Sequence, residues 1–416
     1  MPTRTLAIDF GTSNSAAAVL EGNQLHRLPI ERDAQTLPTA VFFPLDRGAM
    51  QIGAAATAAF IAGEDGRYMR ALKSVLGADL FHEPRLIGGQ RRTISQIVVA
   101  FLAEVRSRAQ IATGRQFSSA LSGRPVHFHS ADPVRDARAE ADLRACYLAA
   151  GFDSVQFMYE PEAAALASHA LGAAGDIGLI VDIGGGTSDF SVFQAVDGRV
   201  QILASHGIRL GGTDFDHVVS LTHAMPLLGY GGSLRREMGE GLLPVPNHIY
   251  ADLATWSKIP FLYTPEARRA VKRMVGFAVE PRKLRRLETV LHDELGHDLA
   301  FAVEGGKIDA NAGDARATIT MGKIEPGLAA PITRTSLDAA LRAFQEALQA
   351  SAAETCRLAG VPPSQIGTVI LVGGSSLMGM VEAAARAACP KASIKRSDPF
   401  TAVVDGLALA AAEGAD

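Results

Sequence analysis

The sequence predicts an α/β protein of two related lobes, and three observations carry the prediction. An apolar run, Leu179-Ile180-Val181, ends in Asp182 and turns through Gly184, Gly185 and Gly186 into Thr187-Ser188-Asp189-Phe190. Near the start, Leu6-Ala7-Ile8-Asp9-Phe10-Gly11-Thr12-Ser13-Asn14-Ser15 repeats the order of strand, aspartate, glycine and hydroxyl residues, then continues apolar from Ala16 to Leu20. A repeat more than a hundred residues long indicates two related lobes rather than a solenoid of short units. The third observation is size: 416 residues exceed the usual extent of one core, while 48% hydrophobic and 20% charged residues are ordinary globular composition.

Each hairpin reads as an anion cradle. Glycines lacking Cβ let the backbone approach a polyanion, and their successive N–H groups form a concave nest, to which Thr187 and Ser188 add hydroxyl donors. Asp182 beside such a nest repels phosphate unless Mg²⁺ or an attacking water lies between them. The competing local reading is a plain glycine-rich turn. Both copies continue alike: Glu21-Gly22-Asn23 and Asp197-Gly198-Arg199 signal turns, leading to third strands at 24–30 and 200–204.

In chain order, 37–43 reads as a strand entered through Pro38 and 54–62 as an alanine-rich helix. Lys73, in the mixed stretch Arg70 to Gly77, reads locally as a solvated surface lysine. A helix at 95–112 places Ile97, Phe101, Leu102 and Val105 on one face. The stretch 120–129 reads as a strand broken by Gly123-Arg124-Pro125, with His127 and His129 on one face but no third ligand at metal spacing. A helix at 135–150 and a strand at 152–158 deliver Tyr159-Glu160-Pro161-Glu162-Ala163-Ala164-Ala165. There Pro161 suits the first helical turn, and Glu160 reads either as facing a ligand or as a partner of the helix dipole.

Composition narrows the function classes. A net charge of −4 speaks against a general nucleic-acid binder. No apolar run approaches membrane-spanning length, and no signal-peptide pattern opens the chain. Cys146, Cys356 and Cys389 stand at no metal spacing and read as reduced thiols, so the expectation is a cytoplasmic protein. A Gly-x-x-x-x-Gly-Lys-Ser/Thr loop is absent from the sequence.

From 218 to 313 the chain is locally basic, through Arg268, Arg269, Lys272, Arg273, Arg282, Lys283, Arg285 and Arg286, which reads as solvated helix faces. Leu284, Leu287, Leu291, Leu295 and Leu299 predict one long helix from about Pro281, whose continuation aligns Glu304, Lys307 and Asn311. His292 and His297 lack the spacing of a helical zinc site. A helix at 336–359, a strand at 369–372, a Gly373-Gly374-Ser375-Ser376 turn opening a helix at 377–388, and a final helix at 401–413 complete the chain.

Six motifs in register resemble one family. Asp9-Phe10-Gly11-Thr12, Lys73 with Leu76-Gly77, Glu160-Pro161-x-Ala163-Ala164-Ala165, Asp182-x-Gly184-Gly185-Gly186-Thr187-x-Asp189, Gly211-Gly212-x-Asp214-Phe215-Asp216 and Val372-Gly373-Gly374-Ser375 follow the order of the ATPase domain of seventy-kilodalton heat-shock proteins. Ser122-Gly123-Arg124-Pro125 and Met225-Pro226-Leu227-Leu228-Gly229-Tyr230-Gly231-Gly232 resemble its short YegD-like branch. The resemblance implies the two-lobed actin-like ATPase fold, with duplicated ribonuclease-H-like mixed sheets flanked by helices. Lobe I is expected at 1–172 and lobe II at 173–416, the latter with a helical insertion at about 218–313, an adenosine loop at 372–376 and the C-terminal helix.

The same resemblance implies site roles. Asp9 and Asp182 would flank Mg²⁺ and the phosphates, Glu160 and Asp182 would hold the attacking water, and Lys73 would neutralise the γ-phosphate of ATP. Gly11, Thr12, Ser13, Asn14, Gly184, Gly185, Gly186 and Thr187 would cradle phosphate oxygens. Asp189 would support the second hairpin and take part in binding Mg²⁺ or K⁺. Gly211, Gly212, Thr213, Gly373, Gly374 and Ser375 would complete the ATP/ADP site, with Glu304, Lys307, Ile308 and Asn311 on the ribose and adenine.

Departures lie on the base side: Ile308 and Leu377 stand where the family has arginines, Thr213 replaces an acid and Phe400 an aspartate. The implied function is slow Mg-dependent ATP hydrolysis coupled to lobe movement, in a monomer that engages another protein and neither nucleic acid nor membrane. The peptide-gripping sandwich and lid are expected to be absent. Two alternatives stay open: a small-molecule kinase of the same fold, which needs a general base aimed at a substrate hydroxyl, and a non-catalytic nucleotide-gated adaptor or filament protein.

Overall fold

The computed structural model describes residues 4–22, 24–32, 34–45, 48–129, 132–167, 175–196, 199–396, 398 and 401–413. Asn23, Asp197 and Gly198 of the predicted turns, together with Pro399 and Phe400, lie outside the described residues. The chain divides into two compact units, one formed by Met1–Arg209, Leu348–Leu377 and Val381–Asp416, the other by Leu210–Ala347 and Met378–Met380.

The first unit opens with strands β1 (Thr5–Phe10), β2 (Asn14–Glu21) and β3 (Gln24–Arg27) in an antiparallel meander. The segment 37–43 is not one strand. It splits at Thr39 into β4 (Thr36–Pro38), which pairs with β2, and β5 (Ala40–Pro44), which joins a separate three-stranded sheet. Thr39 causes the break, because its N–H donates to the Ser13 carbonyl at 2.9 Å and its hydroxyl meets Ser15 Oγ at 2.8 Å.

Helices α1 (Ala54–Ile61) and α2 (Ile94–Thr113) follow. Thr93 and Gln96 form a reciprocal N-terminal cap on α2, and Gly114 ends it in the left-handed region. Strand β6 (Ser119–Arg124), helix α3 (Pro133–Ala149) and strand β7 (Ser154–Tyr159) complete the first sheet, with β6 parallel to β1 and β7 parallel to β6. The strand ends at Arg124, earlier than the sequence suggests, so His127 and His129 share no strand face. After α4 (Glu160–Ala167), strands β8 (Ile177–Ile183), β9 (Ser188–Val196) and β10 (Arg199–Ile208) form a second antiparallel meander.

The second unit contains α5 (Gly212–Val219), α6 (His248–Leu253), α7 (Pro265–Phe277), α8 (Pro281–His292) and α9 (Gly296–Ala312), with two short hairpins. The long helix predicted from Pro281 is therefore two helices. Glu294 adopts a left-handed φ of 56° at the break, its carbonyl accepts from the Tyr263 hydroxyl at 3.0 Å, and that hydroxyl accepts from the Gly296 N–H at 3.0 Å. The leucine spacing marks a continuous buried face on both helices, and this tertiary contact decides where the backbone breaks.

Helix α10 (Arg334–Leu358) leads back to the first unit, where β11 (Thr368–Val372), α11 (Gly379–Ala388), β12 (Ser393–Arg396) and α12 (Ala402–Glu413) finish the chain. Gly374–Leu377 forms a 3-10 turn, so the glycine turn does not itself open the following helix. Strand β11 lies parallel to β8, and β12 parallel to β11. The two large sheets thus have the same design, in the orders β7-β6-β1-β2-β3 and β12-β11-β8-β9-β10: an antiparallel three-strand meander extended by two parallel strands.

Small residues set the spacing between them. Ala7, Ala16 and Ala18 of the first sheet and Ile180, Phe193 and Ile370 of the second pack on the same layer, made by α4 and α12. A Cβ on Gly406 would overlap the Ala163 carbonyl, so only glycine permits that helix crossing. The other face of the first sheet buries Leu6, Ile8 and Phe10 against α2 and α3 through Phe101, Leu102 and Tyr147. Among the described residues no helix is long and apolar enough to cross a membrane.

Candidate functional site

The β1–β2 turn is closed by Gly11, where a Cβ would collide with the Asn14 carbonyl oxygen. This places Asp9 at the end of β1, opposite Ala16, with Thr12 and Ser13 exposed at the tip and Asn14 starting β2. The β8–β9 turn is built alike. The Gly184 N–H donates to the Thr187 carbonyl at 2.9 Å, Asp182 faces Asp189 across the ladder, and Gly186 and Thr187 are exposed.

The two turns approach each other. A Cβ built on Gly185 would stand 3.0 Å from Ser13 Oγ. The turn after β11 joins them: Gly373, at φ 83°, would place a Cβ 2.5 Å from both Asp182 Oδ1 and the Ile183 carbonyl oxygen. Gly374 and Ser375 continue that turn, partly exposed.

Lys73 sits in a short 3-10 turn, Leu72–Val75, and is only 8% exposed. The solvated-surface reading of this residue is therefore wrong, because its ammonium forms an ion pair with Glu160, the first residue of α4. Burial alone would lower the Lys73 pKa, but Glu160, Asp9 and Asp182 outweigh it and raise it. The carboxylates show the complementary effect. Burial and the Glu160 charge push Asp9 up to about 7, although Lys73 pulls it down. Asp182 rises to about 8 through burial and repulsion from Glu160, Asp189 and Asp9. Asp189 rises to about 6 through burial and Glu160, moderated by a hydrogen bond from Thr187.

Lys73 thus pairs directly with Glu160 while the charges of Asp9, Asp182 and Asp189 act on the same ammonium, and burial is the largest cause of the three raised aspartate values. That donor set, all oxygen and all hard, fits a divalent cation such as Mg²⁺. Among the described residues no three His, Cys, Asp or Glu side chains converge closely enough to chelate a metal by themselves.

One contributor carries no chemical signal in the sequence. A Cβ on Gly123 would lie 3.2 Å from Glu160 Cγ, so the glycine of Ser122-Gly123-Arg124-Pro125 leaves room for the Glu160 side chain on its way to Lys73. The stretch draws attention as a break in a strand, and only the packing shows what the missing side chain is for.

The remaining expected residues lie in the second unit. Gly211, Gly212 and Thr213 start α5, where the Gly211 N–H donates to Asp214 at 2.9 Å. On α9, Glu304 and Ile308 are exposed. Lys307 is buried and pairs with Asp216 at 2.7 Å, and the Asn311 side chain accepts from the Gly379 N–H at 2.8 Å. Glu304, Lys307 and Asn311, the three positions expected on one face, lie on this single helix, with the Lys307 and Asn311 side chains turned to contacts inside the unit.

Residues 84–225 match the family model described as Hsp70 protein. The matched segment includes Glu160, Asp182, Thr187, Asp189 and Gly211–Thr213, and it begins after Asp9 and Lys73.

Proposed function

We propose, for a chain whose residues 84–225 match the Hsp70 family model, that the first unit binds the phosphates of Mg-ATP and hydrolyses the terminal one slowly. The observation that supports this most directly is the convergence of three glycine turns on a buried charge cluster. Exposed backbone and hydroxyl groups of Thr12, Ser13, Gly186 and Thr187, with the half-buried Gly185 between the two turns, stand beside Asp9, Asp182, Glu160 and Lys73.

Lys73 supplies a fixed positive charge for the γ-phosphate. Glu160 holds that ammonium in place and, with Asp182, accepts hydrogen bonds from the attacking water, aligning it for in-line displacement. Thr187 donates to a phosphate oxygen and steadies Asp189. Asp9, Asp182 and Asp189 are the residues that would hold Mg²⁺, which when bound neutralises phosphate charge. Because Asp182 and Asp9 sit near neutrality, the nucleotide-free site carries protons that a cation displaces. Phosphoryl transfer to water then depends on positioning and electrostatics, which a rigid pair of strand ends provides.

The assignment of Glu304, Lys307, Ile308 and Asn311 to ribose and base rests on the resemblance alone. So do the lobe boundaries, K⁺ as an additional ion, and a protein partner that reads the nucleotide state. The central claim is tested by calorimetric titration with and without Mg²⁺, together with single-turnover hydrolysis. Lys73→Ala and Glu160→Gln are expected to retain ADP and lose hydrolysis by roughly 100-fold. Nucleotide binding indifferent to Mg²⁺, or unchanged turnover in both variants, overturns the proposal.

A further inference from the structure

Lys73 lies in a segment that local sequence does little to hold. The turn Leu72–Val75 is a single 3-10 turn, which is a weak element by itself. It is entered through Ala71 at φ 57° and left through Gly77 at φ 75°. A left-handed alanine costs of order 1 kcal/mol and persists only where the surroundings over-determine it. The constraint comes from α3 and from the segment that leads into it.

Asp142 on α3 is 8% exposed and uses one oxygen at the end of this turn and the other on the segment that follows it: Oδ2 accepts from the Gly77 N–H at 3.0 Å, and Oδ1 accepts from His82 Nε2 at 2.9 Å. At Gly77 the chain lies close against α3, where a Cβ would overlap the Arg135 carbonyl. Just before α3, His129 Nε2 lies 2.8 Å from the Leu76 carbonyl. A carbonyl only accepts, so His129 carries its proton on Nε2. Leu72 and Leu76, both buried, fix the inner side of the turn. The residue after Lys73 bonds back, with Ser74 Oγ donating to the Ala71 carbonyl at 2.7 Å.

We infer that Asp142 is a positioning residue for Lys73: with His82 and His129 it clamps the strained Ala71–Gly77 turn and so holds the ammonium against Glu160. A buried carboxylate satisfied by one backbone N–H and one imidazole on a single loop gives that loop a defined place, which an apolar contact does not. It also explains His129, whose contact is with the carbonyl of Leu76 rather than with a metal. The kinetic consequence rests on the proposed ATPase reading, whereas the structural one does not.

Two measurements separate them. The first is acylation of lysines by an N-hydroxysuccinimide ester in the nucleotide-free protein, read by mass spectrometry. Lys258 and Lys323, whose side chains are 58% and 71% exposed in the other unit, serve as internal standards. Relative to them, Lys73 is expected to react at least about tenfold faster in Asp142→Ala than in wild type, because local opening of the turn becomes cheaper. Asp142→Asn keeps an oxygen for Gly77 and is expected to fall between the two. The second is single-turnover hydrolysis, expected to drop by roughly 100-fold in Asp142→Ala, as a misplacement of about 1 Å does, with ADP affinity unchanged.

If Asp142→Ala fails to fold by circular dichroism, Asp142→Asn and His129→Leu carry the same comparison. Unchanged Lys73 reactivity in a folded variant overturns the inference. Should Lys73→Ala itself hydrolyse ATP normally, the ATPase reading fails, and the acylation result still decides what Asp142 does.

Discussion

Replacing Asp182 by asparagine is expected to remove most of the pH dependence of stability in the nucleotide-free first unit. Asp182 and Asp9 have folded-state values of about 8 and about 7, against 3.8 for the free side chain. Groups whose pKa is raised by folding contribute stability that is full below about pH 4 and is lost as pH rises through the folded values. Between pH 6 and 8 the loss is about 2 kcal/mol from Asp182 and about 1 kcal/mol from Asp9, at 1.36 kcal/mol per unit. Asp182→Asn keeps the shape and cannot ionise, so its own contribution vanishes and that of Asp9, set by burial and Glu160, remains.

The assay needs a probe inside the first unit. The only tryptophan, Trp256, belongs to the second unit, so its fluorescence reports on the wrong part of the chain. Hydrogen exchange of the β8 amides at pH 6 and 8, at constant ionic strength and corrected for the intrinsic pH effect, gives the opening free energy directly. Wild type should lose roughly 3 kcal/mol over that interval and the variant less than half as much. Mg-ADP should flatten the wild-type curve. Equal losses in wild type and Asp182→Asn would show that the charge cluster does not bear the strain assigned to it.

Two further outcomes are expected. Gly373→Ala combines a left-handed φ of 83° with a Cβ 2.5 Å from both Asp182 Oδ1 and the Ile183 carbonyl, so it should destabilise the first unit by about 1–3 kcal/mol and weaken ADP binding. Thermal melting and titration check both, and a neutral result removes Gly373 from the site. Ile308→Arg is a substitution at a residue 54% exposed, so folding should be unaffected. If this helix face meets adenine, the guanidinium should tighten ATP by at most about tenfold through a cation–π contribution of roughly 0.5–2 kcal/mol, as paired ATP and GTP titrations would show.

The pattern of what was readable follows sequence distance. Asp9 and Asp182 were legible because strand, carboxylate, glycine turn and second strand are all local, and the antiparallel ladder that makes Asp182 face Asp189 needs only six residues between them and one tight turn. The repeat carried further: two meanders with one pattern became two sheets of one topology. The helix at 95–112 was legible for the same reason, through the 3.6-residue spacing of its apolar face. Lys73 was not. Its neighbours resemble surface, and its partner Glu160 stands 87 positions away.

Sequence alone therefore determined the two glycine turns, their carboxylates and the identity of most helices, since these depend on backbone sterics and on periodicity within a few residues. The break between α8 and α9, the loss of a common face for His127 and His129, and the burial of Lys73 were decided by tertiary contacts: the Tyr263 hydroxyl at the break, the Leu76 carbonyl that takes His129, and the grip of Asp142 on Gly77 and His82. Each of these is a hydrogen bond between chain segments more than thirty positions apart. No periodicity reports such a bond, because its geometry exists only once the sheets and helices have packed and withdrawn both partners from water.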